Sequence, residues 1–93
     1  MRAAFVRAPW QVEVREIPIP TLLPGWVRVR VDACGLCGTD HEQWSGHIGA
    51  AYAYIPGHEI VGVIDAVGPK AAERWKVSVG DRVAVEVFLS CRT

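Results

Sequence analysis

The sequence predicts a mostly β protein with one or two short helices. Val, Ile and aromatic residues recur in short runs, and Gly or Pro interrupts these runs every few residues. This pattern is typical of a β-barrel or sandwich. Apolar residues at helical spacing are scarce. The 93 residues are enough for one small domain, which buries only about 60–65% of the surface that the unfolded chain exposes.

The first predicted element is a β-hairpin. The strand-like runs 3–7 and 12–17 flank a turn around Pro9 and Trp10, and such spacing is typical of two paired strands. Three prolines follow, and proline cannot donate a hydrogen bond to a sheet. We therefore expect an extended connection that contains Pro18, Pro20 and Pro24.

The clearest predicted strand is the third. In residues 27–32, valines alternate with charged side chains, so one face of the strand should point inward and the other toward water. The strand leads into Cys34 and Cys37, and glycines beside these thiols suit a tight turn. We expect a short helix after the turn, capped by Thr39 or Asp40.

The sequence of the second half of the chain predicts two more strands. Residues 46–57 carry glycines and tyrosines and are typical of a loop packed by its own side chains. The nearly continuous apolar run 60–67 predicts a strand, and the polar segment 70–76 predicts a surface excursion. A turn at 80–81 precedes a last strand in which the valines of 83–87 share one face.

The charge and cysteine content exclude several classes of function. Ten basic and ten acidic residues give a formal net charge of zero, so no basic patch for nucleic acid or an anionic membrane is predicted. The first apolar run is too short for a secretory signal, and nothing approaches the ~20 residues of a membrane span. An odd number of cysteines, two of them in a CxxC spacing, favours thiol or metal chemistry in a reducing compartment. We expect a cytoplasmic protein.

Cys37, His58 and Glu59 form the strongest candidate site. A thiolate, an imidazole and a carboxylate are zinc ligands, and three mixed ligands leave a coordination position open for water or substrate. Adjacent residues of a regular strand point to opposite faces, so His58 and Glu59 can both bind one ion only from an irregular segment. Pro56 and Gly57 supply that irregularity.

Other interpretations of these residues stay open at this level. Cys34 and Cys37 could form a thioredoxin-like redox pair, but that fold needs a βαβ pattern, which is not seen. A zinc ribbon needs a second pair of ligands, and only Cys91 remains. Taken one at a time, Thr39 could be a plain helix cap and Asp40 a solvated acid.

Four segments together resemble the zinc-dependent medium-chain alcohol dehydrogenase family: VDACGLCGTD at 31–40, SG at 45–46, PGHE at 56–59 and GDRV at 80–83. Their order and spacing match the family over nearly the whole chain. The resemblance implies that residues 1–93 are the N-terminal part of a GroES-like catalytic domain, a distorted β-barrel. It also implies Zn²⁺ and NAD or NADP as cofactors, the nucleotide being bound by a Rossmann domain whose GxGxxG motif does not occur in these residues.

The resemblance assigns a role to each residue of the motifs. It implies that Cys37 and His58 bind zinc and that Glu59 binds it directly or from the outer sphere. Thr39 matches the hydroxyl that accepts the substrate proton. Asp40 matches the acid that hydrogen-bonds the ligand histidine and sets its tautomer.

Some positions depart from the family or match it less closely. Many members place a proton-relay histidine where this chain has Glu42, with His41 beside it, so Glu42 is a candidate for the relay, for binding a polyhydroxylated substrate, or for a solvated surface acid. Trp44 and Ile48 are candidates for the substrate wall or for the core. Cys91 matches the first cysteine of a second, structural zinc lobe.

The function implied is reversible hydride transfer between NAD(P) and a secondary alcohol, polyol or sugar, or the corresponding carbonyl. We expect the chain by itself to be inactive and a homo-oligomer or partner to cover its exposed edges. A non-enzymatic GroES-like binding or assembly module is the alternative. A zinc-free quinone reductase-like protein is a third, although such relatives lack the cysteine and the GHE triplet.

Overall fold

The computed structural model describes residues 1–47 and 53–86. Five strands and two helices follow in the order β1 (Arg2–Ala8), β2 (Gln11–Glu16), β3 (Val27–Gly35), α1 (Gly38–Ser45), β4 (Glu59–Val67), α2 (Pro69–Trp75) and β5 (Arg82–Ala84). The mostly β class with two short helices is confirmed. The sheets have the orders β1-β2 and β3-β4-β5, and neither closes into a barrel within the described ranges. The predictions for Ile48, Val87 and Cys91 lie outside the described residues.

The chain forms two compact units, Met1–Ile19 with Leu36–Gly57 and Pro20–Gly35 with His58–Thr93. In the first unit, β1 and β2 form the predicted antiparallel hairpin. Val6 is buried, and its backbone exchanges hydrogen bonds of 2.9 and 3.3 Å with that of Tyr54. These bonds tie β1 to the chain segment beyond α1.

In the second unit, β4 lies between β3 and β5, and all pairings are antiparallel. The β3–β4 ladder extends from Val27 opposite Val67 to Gly35 opposite Glu59. Ile64 on β4 is buried. The last predicted strand is confirmed but is shorter than expected, since β5 ends at Ala84.

The predicted alternation of burial along β3 is wrong in its second half. The register shifts between Arg28 and Val29 and again between Val31 and Ala33, and such bulges change which face a side chain occupies. Val31 is 54% exposed, and its partner on β4 is Gly62, which has no side chain to cover it. Arg28 is half-buried, and its Nε donates a hydrogen bond of 2.8 Å to Asp65 Oδ1.

The polar segment expected to be only a surface excursion folds as α2. The helix begins at Pro69, a residue suited to the first helical position. The Gly68 amide donates to the Trp26 carbonyl at 2.9 Å, and the Lys70 amide donates to the Pro24 carbonyl at 3.0 Å. Ala71 is buried. Charged residues are frequent in this segment, so its sequence pattern did not predict that the Ala71 side chain packs inward. Neither helix of the described residues is long and apolar enough to cross a membrane.

Candidate metal centre

Helix α1 begins at the candidate zinc thiolate. Cys37 is the N-cap residue in extended conformation, so the predicted cap at Thr39 or Asp40 is wrong. Asp40 is instead the third helical residue, and its Oδ2 accepts a hydrogen bond of 3.0 Å from the Cys37 amide. A carboxylate at this position reaches back to an amide that no helical carbonyl can satisfy. Asp40 thus helps to hold the backbone of Cys37.

The second pair of candidate ligands lies at the start of β4. Gly57 has a φ of 120°, a conformation that strongly favours glycine. His58 lies in a bend after Gly57, and β4 begins only at Glu59. Since the two neighbours are not consecutive residues of a regular strand, the geometry that would send their side chains to opposite faces does not apply. This is the irregularity that the sequence predicted.

The donor atoms of Cys37, Asp40, His58 and Glu59 lie within 4.8 Å of one another. The β-sheet register explains much of this convergence, because Gly35 pairs with Glu59 and Cys37 follows two residues later. Donors about 2.0–2.3 Å from a tetrahedral ion stand about 3.3–3.8 Å apart.

The chemistry of the donor set fits zinc. Thiolate, imidazole and carboxylate ligands suit this ion. The group has four donors, and Asp40 is the one already engaged, because its Oδ2 accepts a hydrogen bond from the Cys37 amide. Three ligands without Asp40 leave a coordination position open. Cys37, Asp40 and His58 are half-buried, whereas Glu59 is exposed. Cys34 is exposed and is not a member of this group within the described residues. The CxxC pair is thus divided between a candidate ligand and a surface thiol.

Gly35 lies against the carboxylate of this group. A methyl group added at Gly35 would come within 3.2 Å of Glu59 Cβ and 3.5 Å of its Oε1. A contact of 3.2 Å is closer than ordinary van der Waals packing of two carbons, which is about 3.5–4.0 Å. The sequence pointed to this glycine only as part of a tight turn, because its neighbour across the sheet is 24 positions away.

The remaining predicted residues occupy α1 around the donor group. Thr39 is exposed in the first turn. Glu42 Oε2 lies 3.8 Å from the exposed His47 Nε2. Trp44 is half-buried and packs edge-on against the rings of Trp10 and His41. Glu42 is not a member of the 4.8 Å donor group of the described residues. The roles of Thr39 and Glu42 stay predictions.

Trp10 is the residue whose importance the sequence did not reveal. It was predicted only as part of a hairpin turn, yet it contacts α1 through both its ring and its backbone. A large aromatic residue at a turn position, where Gly, Asn or Asp is usual, was the available signal.

Residues 23–93 match the family model described as the alcohol dehydrogenase GroES-like domain. The chain is 54% identical over 92 residues to the "probable alcohol dehydrogenase adh" of Mycobacterium tuberculosis H37Rv, covering 99% of this chain and 25% of that protein. It is 34% identical over 101 residues to the erythritol/L-threitol dehydrogenase of Mycolicibacterium smegmatis, covering 98% of this chain and 28% of that protein. The chain spans about a quarter of the length of these curated relatives.

Solved structures resemble the fold closely. An alcohol dehydrogenase of Escherichia coli CFT073 in complex with NADH superposes with a TM-score of 0.84 and 41% identity, over 98% of this chain and 26% of that chain. Galactitol-1-phosphate dehydrogenase of Escherichia coli gives a TM-score of 0.81 and 33% identity, over 90% of this chain and 24% of that chain.

Proposed function

Because the chain belongs to the alcohol dehydrogenase GroES-like domain family, we propose that it is the N-terminal part of the catalytic domain of a zinc-dependent, NAD(P)-linked dehydrogenase. The observation that carries the proposal is the 4.8 Å grouping of Cys37, Asp40, His58 and Glu59 donor atoms. The proposed substrates are secondary alcohols, polyols or sugars and the corresponding carbonyls. The erythritol/L-threitol dehydrogenase among the relatives supports the polyol class.

In the proposed mechanism, Cys37, His58 and Glu59 are the residues that would hold zinc. Bound zinc would act as a Lewis acid on the alcohol or carbonyl oxygen, which makes both directions of hydride transfer accessible. Asp40 holds the Cys37 amide and would orient the His58 imidazole by a hydrogen bond, as partners of ligand histidines commonly do.

The proposed proton path starts at the Thr39 hydroxyl, which would accept the proton of the alcohol. Glu42 lies one helical turn later, and its carboxylate is next to the exposed His47. Glu42 would therefore pass the proton to solvent in place of a relay histidine. Replacement of Glu42 by Gln removes this proton acceptor while keeping its size.

The proposal extends to cofactor, assembly and compartment. We expect the nicotinamide cofactor, NAD or NADP, to be bound by a domain outside these 93 residues, since they contain no GxGxxG motif, and we expect no turnover from them alone. Exposed large apolar side chains such as Trp26 and Val79 support coverage by further protein surface or a second copy. A cytoplasmic location would keep the Cys37 thiol reduced.

Zinc binding tests the site directly. We expect about one zinc per chain at this centre, lost in Cys37→Ser and His58→Ala, measured by equilibrium dialysis with metal analysis. Cys34→Ser is the matched control, since it removes a thiol three positions earlier that is outside the donor group. Equal zinc retention in Cys37→Ser and Cys34→Ser would exclude this metal centre.

Activity separates the enzyme from a GroES-like binding module. In the protein that includes the nucleotide-binding domain, we expect NAD(P)-dependent oxidation of polyols, secondary alcohols or sugars, abolished by Cys37→Ser. A protein that holds zinc at Cys37 but reduces neither NAD nor NADP with any of these substrates would favour the binding module.

A further inference from the structure

Trp10 contacts α1 at two levels. Its backbone amide donates a hydrogen bond of 2.8 Å to the carbonyl of Trp44, in the last turn of the helix. Its ring packs edge-to-face against Trp44 at 4.6 Å and against His41 at 5.7 Å between centroids. T-shaped contacts at these distances are attractive beyond the apolar area that they bury. The tip of the β1–β2 hairpin is thus attached to α1.

The conformation of Trp10 is unfavourable for its residue type. Its φ is 64°, in the left-handed region, which glycine or asparagine adopts more readily than a bulky aromatic residue. The residue is also 56% exposed. Neither burial nor turn geometry alone therefore accounts for tryptophan at this position, whereas the two ring contacts do.

Helix α1 depends on such outside contacts. It has eight residues, and no side chain in it is fully buried; helices this short are marginal in water without tertiary packing. At its C-terminal end, Gly46 takes the left-handed conformation and donates to the Gln43 carbonyl at 3.2 Å. The Trp10 amide satisfies the next carbonyl, that of Trp44. The hairpin therefore satisfies a free carbonyl at the C-terminal end of α1, whereas Cys37 lies at its N-terminal end.

We propose that Trp10 is a positioning residue for the metal centre: it fixes the orientation of α1 and thereby aims the Cys37 thiolate. The inference rests on the proposed function, because it requires Cys37 to be a metal ligand. Trp10 is not a member of the donor group of the described residues. It acts through Trp44 and His41 on the helix whose N-cap is Cys37.

Cobalt substitution tests this role, because the Co²⁺–thiolate and d–d absorption bands report the geometry of the ligands. Trp10→Gly removes both ring contacts but keeps the backbone amide and relieves the left-handed conformation, and Trp10→Asn is a second variant that tolerates this φ. We expect both to weaken Co²⁺ binding about tenfold, the lower end of the effect of outer-sphere residues, and to shift the d–d bands. Trp10→Phe should restore both properties.

Two controls make the result specific. Trp26→Ala removes a tryptophan of nearly equal exposure, 57%, and should leave affinity and spectrum unchanged. Hydrogen exchange of the metal-free variants should be faster in α1 for Trp10→Gly than for the wild type, without loss of strand protection.

The outcomes distinguish the two proposals. Wild-type protein without a Cys37-dependent thiolate band would overturn the metal centre and, with it, the role of Trp10. A wild-type band that Trp10→Gly and Trp10→Asn leave unchanged would overturn only the role of Trp10. Equal losses in Trp26→Ala and Trp10→Gly would likewise reject a specific positioning role.

Discussion

At the residue scale, the position of Glu59 depends on Gly35, which has no side chain to displace it. Gly35 pairs with Glu59 across the sheet, and a Cβ at residue 35 would stand 3.2 Å from Glu59 Cβ. The carboxylate can move away only by a change of rotamer or of backbone. Either movement changes where its oxygen lies relative to Cys37 and His58.

Gly35→Ala should therefore weaken zinc binding about tenfold, comparable to the loss of an outer-sphere partner. Gly38→Ala is the control, because a Cβ at that glycine meets no heavy atom within 4 Å. Competition with a chromophoric chelator measures both affinities. Equal affinities for the two variants would show that Glu59 is not a ligand or that its side chain adapts without cost.

Also at the residue scale, Cys37 combines two functions. It is the N-cap of α1 and a member of the donor group. Its amide donates a hydrogen bond of 3.0 Å to Asp40 Oδ2, so this one bond supports both the start of the helix and the candidate metal ligand. A change at Asp40 would affect both.

At the element scale, the pairing of β3 with β4 determines where Glu59 of the candidate metal centre lies. The two irregularities in this ladder shift the register in opposite directions and cancel, so Gly35 lies opposite Glu59. A slip of one residue would turn the side chains of β4 to the opposite face. Close approach of the strands is maintained at Gly62, where a Cβ would stand 2.2 Å from the Arg30 carbonyl oxygen. No side chain fits that gap without separation of the strands.

Gly62→Ala should lower the free energy of unfolding by about 1–3 kcal/mol or more, the range for overpacked interiors. Gly25→Ala, whose Cβ would meet nothing within 4 Å, should change it by less than about 0.5 kcal/mol. Urea denaturation followed by circular dichroism measures both. A Gly62→Ala variant as stable as Gly25→Ala would mean that the two strands separate at little cost.

At the scale of the whole molecule, the core of the described residues is small. Val6, Ile64 and Ala71 are its buried hydrophobic members, whereas fourteen large hydrophobic side chains are exposed. Apolar burial is the main favourable contribution to folding, so it contributes little here. Ligands that bind only the folded state therefore contribute a larger share of its stability.

Zinc should therefore stabilise the fold measurably. A ligand at a hundred times its dissociation constant adds about 2.7 kcal/mol if it binds only the folded state. We expect zinc to raise the thermal midpoint and EDTA to reverse the increase. His58→Ala should show neither response. An equal zinc-dependent shift in His58→Ala would indicate that the ion acts elsewhere on the chain.

The sequence by itself determined the succession of strands along the chain, the hairpin, the β class and three of the four residues in the candidate donor group as ligands. These follow from local signals: alternating valines, turn residues, and a CGTD segment combined with a GHE segment. The irregularity before His58 was also predictable, because Pro56 and Gly57 precede it. Local chemistry and local backbone preference act over a few residues, and a sequence records them directly.

Only the tertiary structure decided the helical cap at Cys37, the bulges in the β3–β4 ladder, the fit of Gly35 against Glu59 and the attachment of Trp10 to α1. Except for the cap and the bulges, these features join residues far apart in the chain. They arise from steric fit and ring packing in three dimensions, which no periodicity or motif spacing contains. Local motifs therefore predicted Cys37, His58 and Glu59 as candidate ligands, whereas the contacts that surround them follow only from the three-dimensional fold.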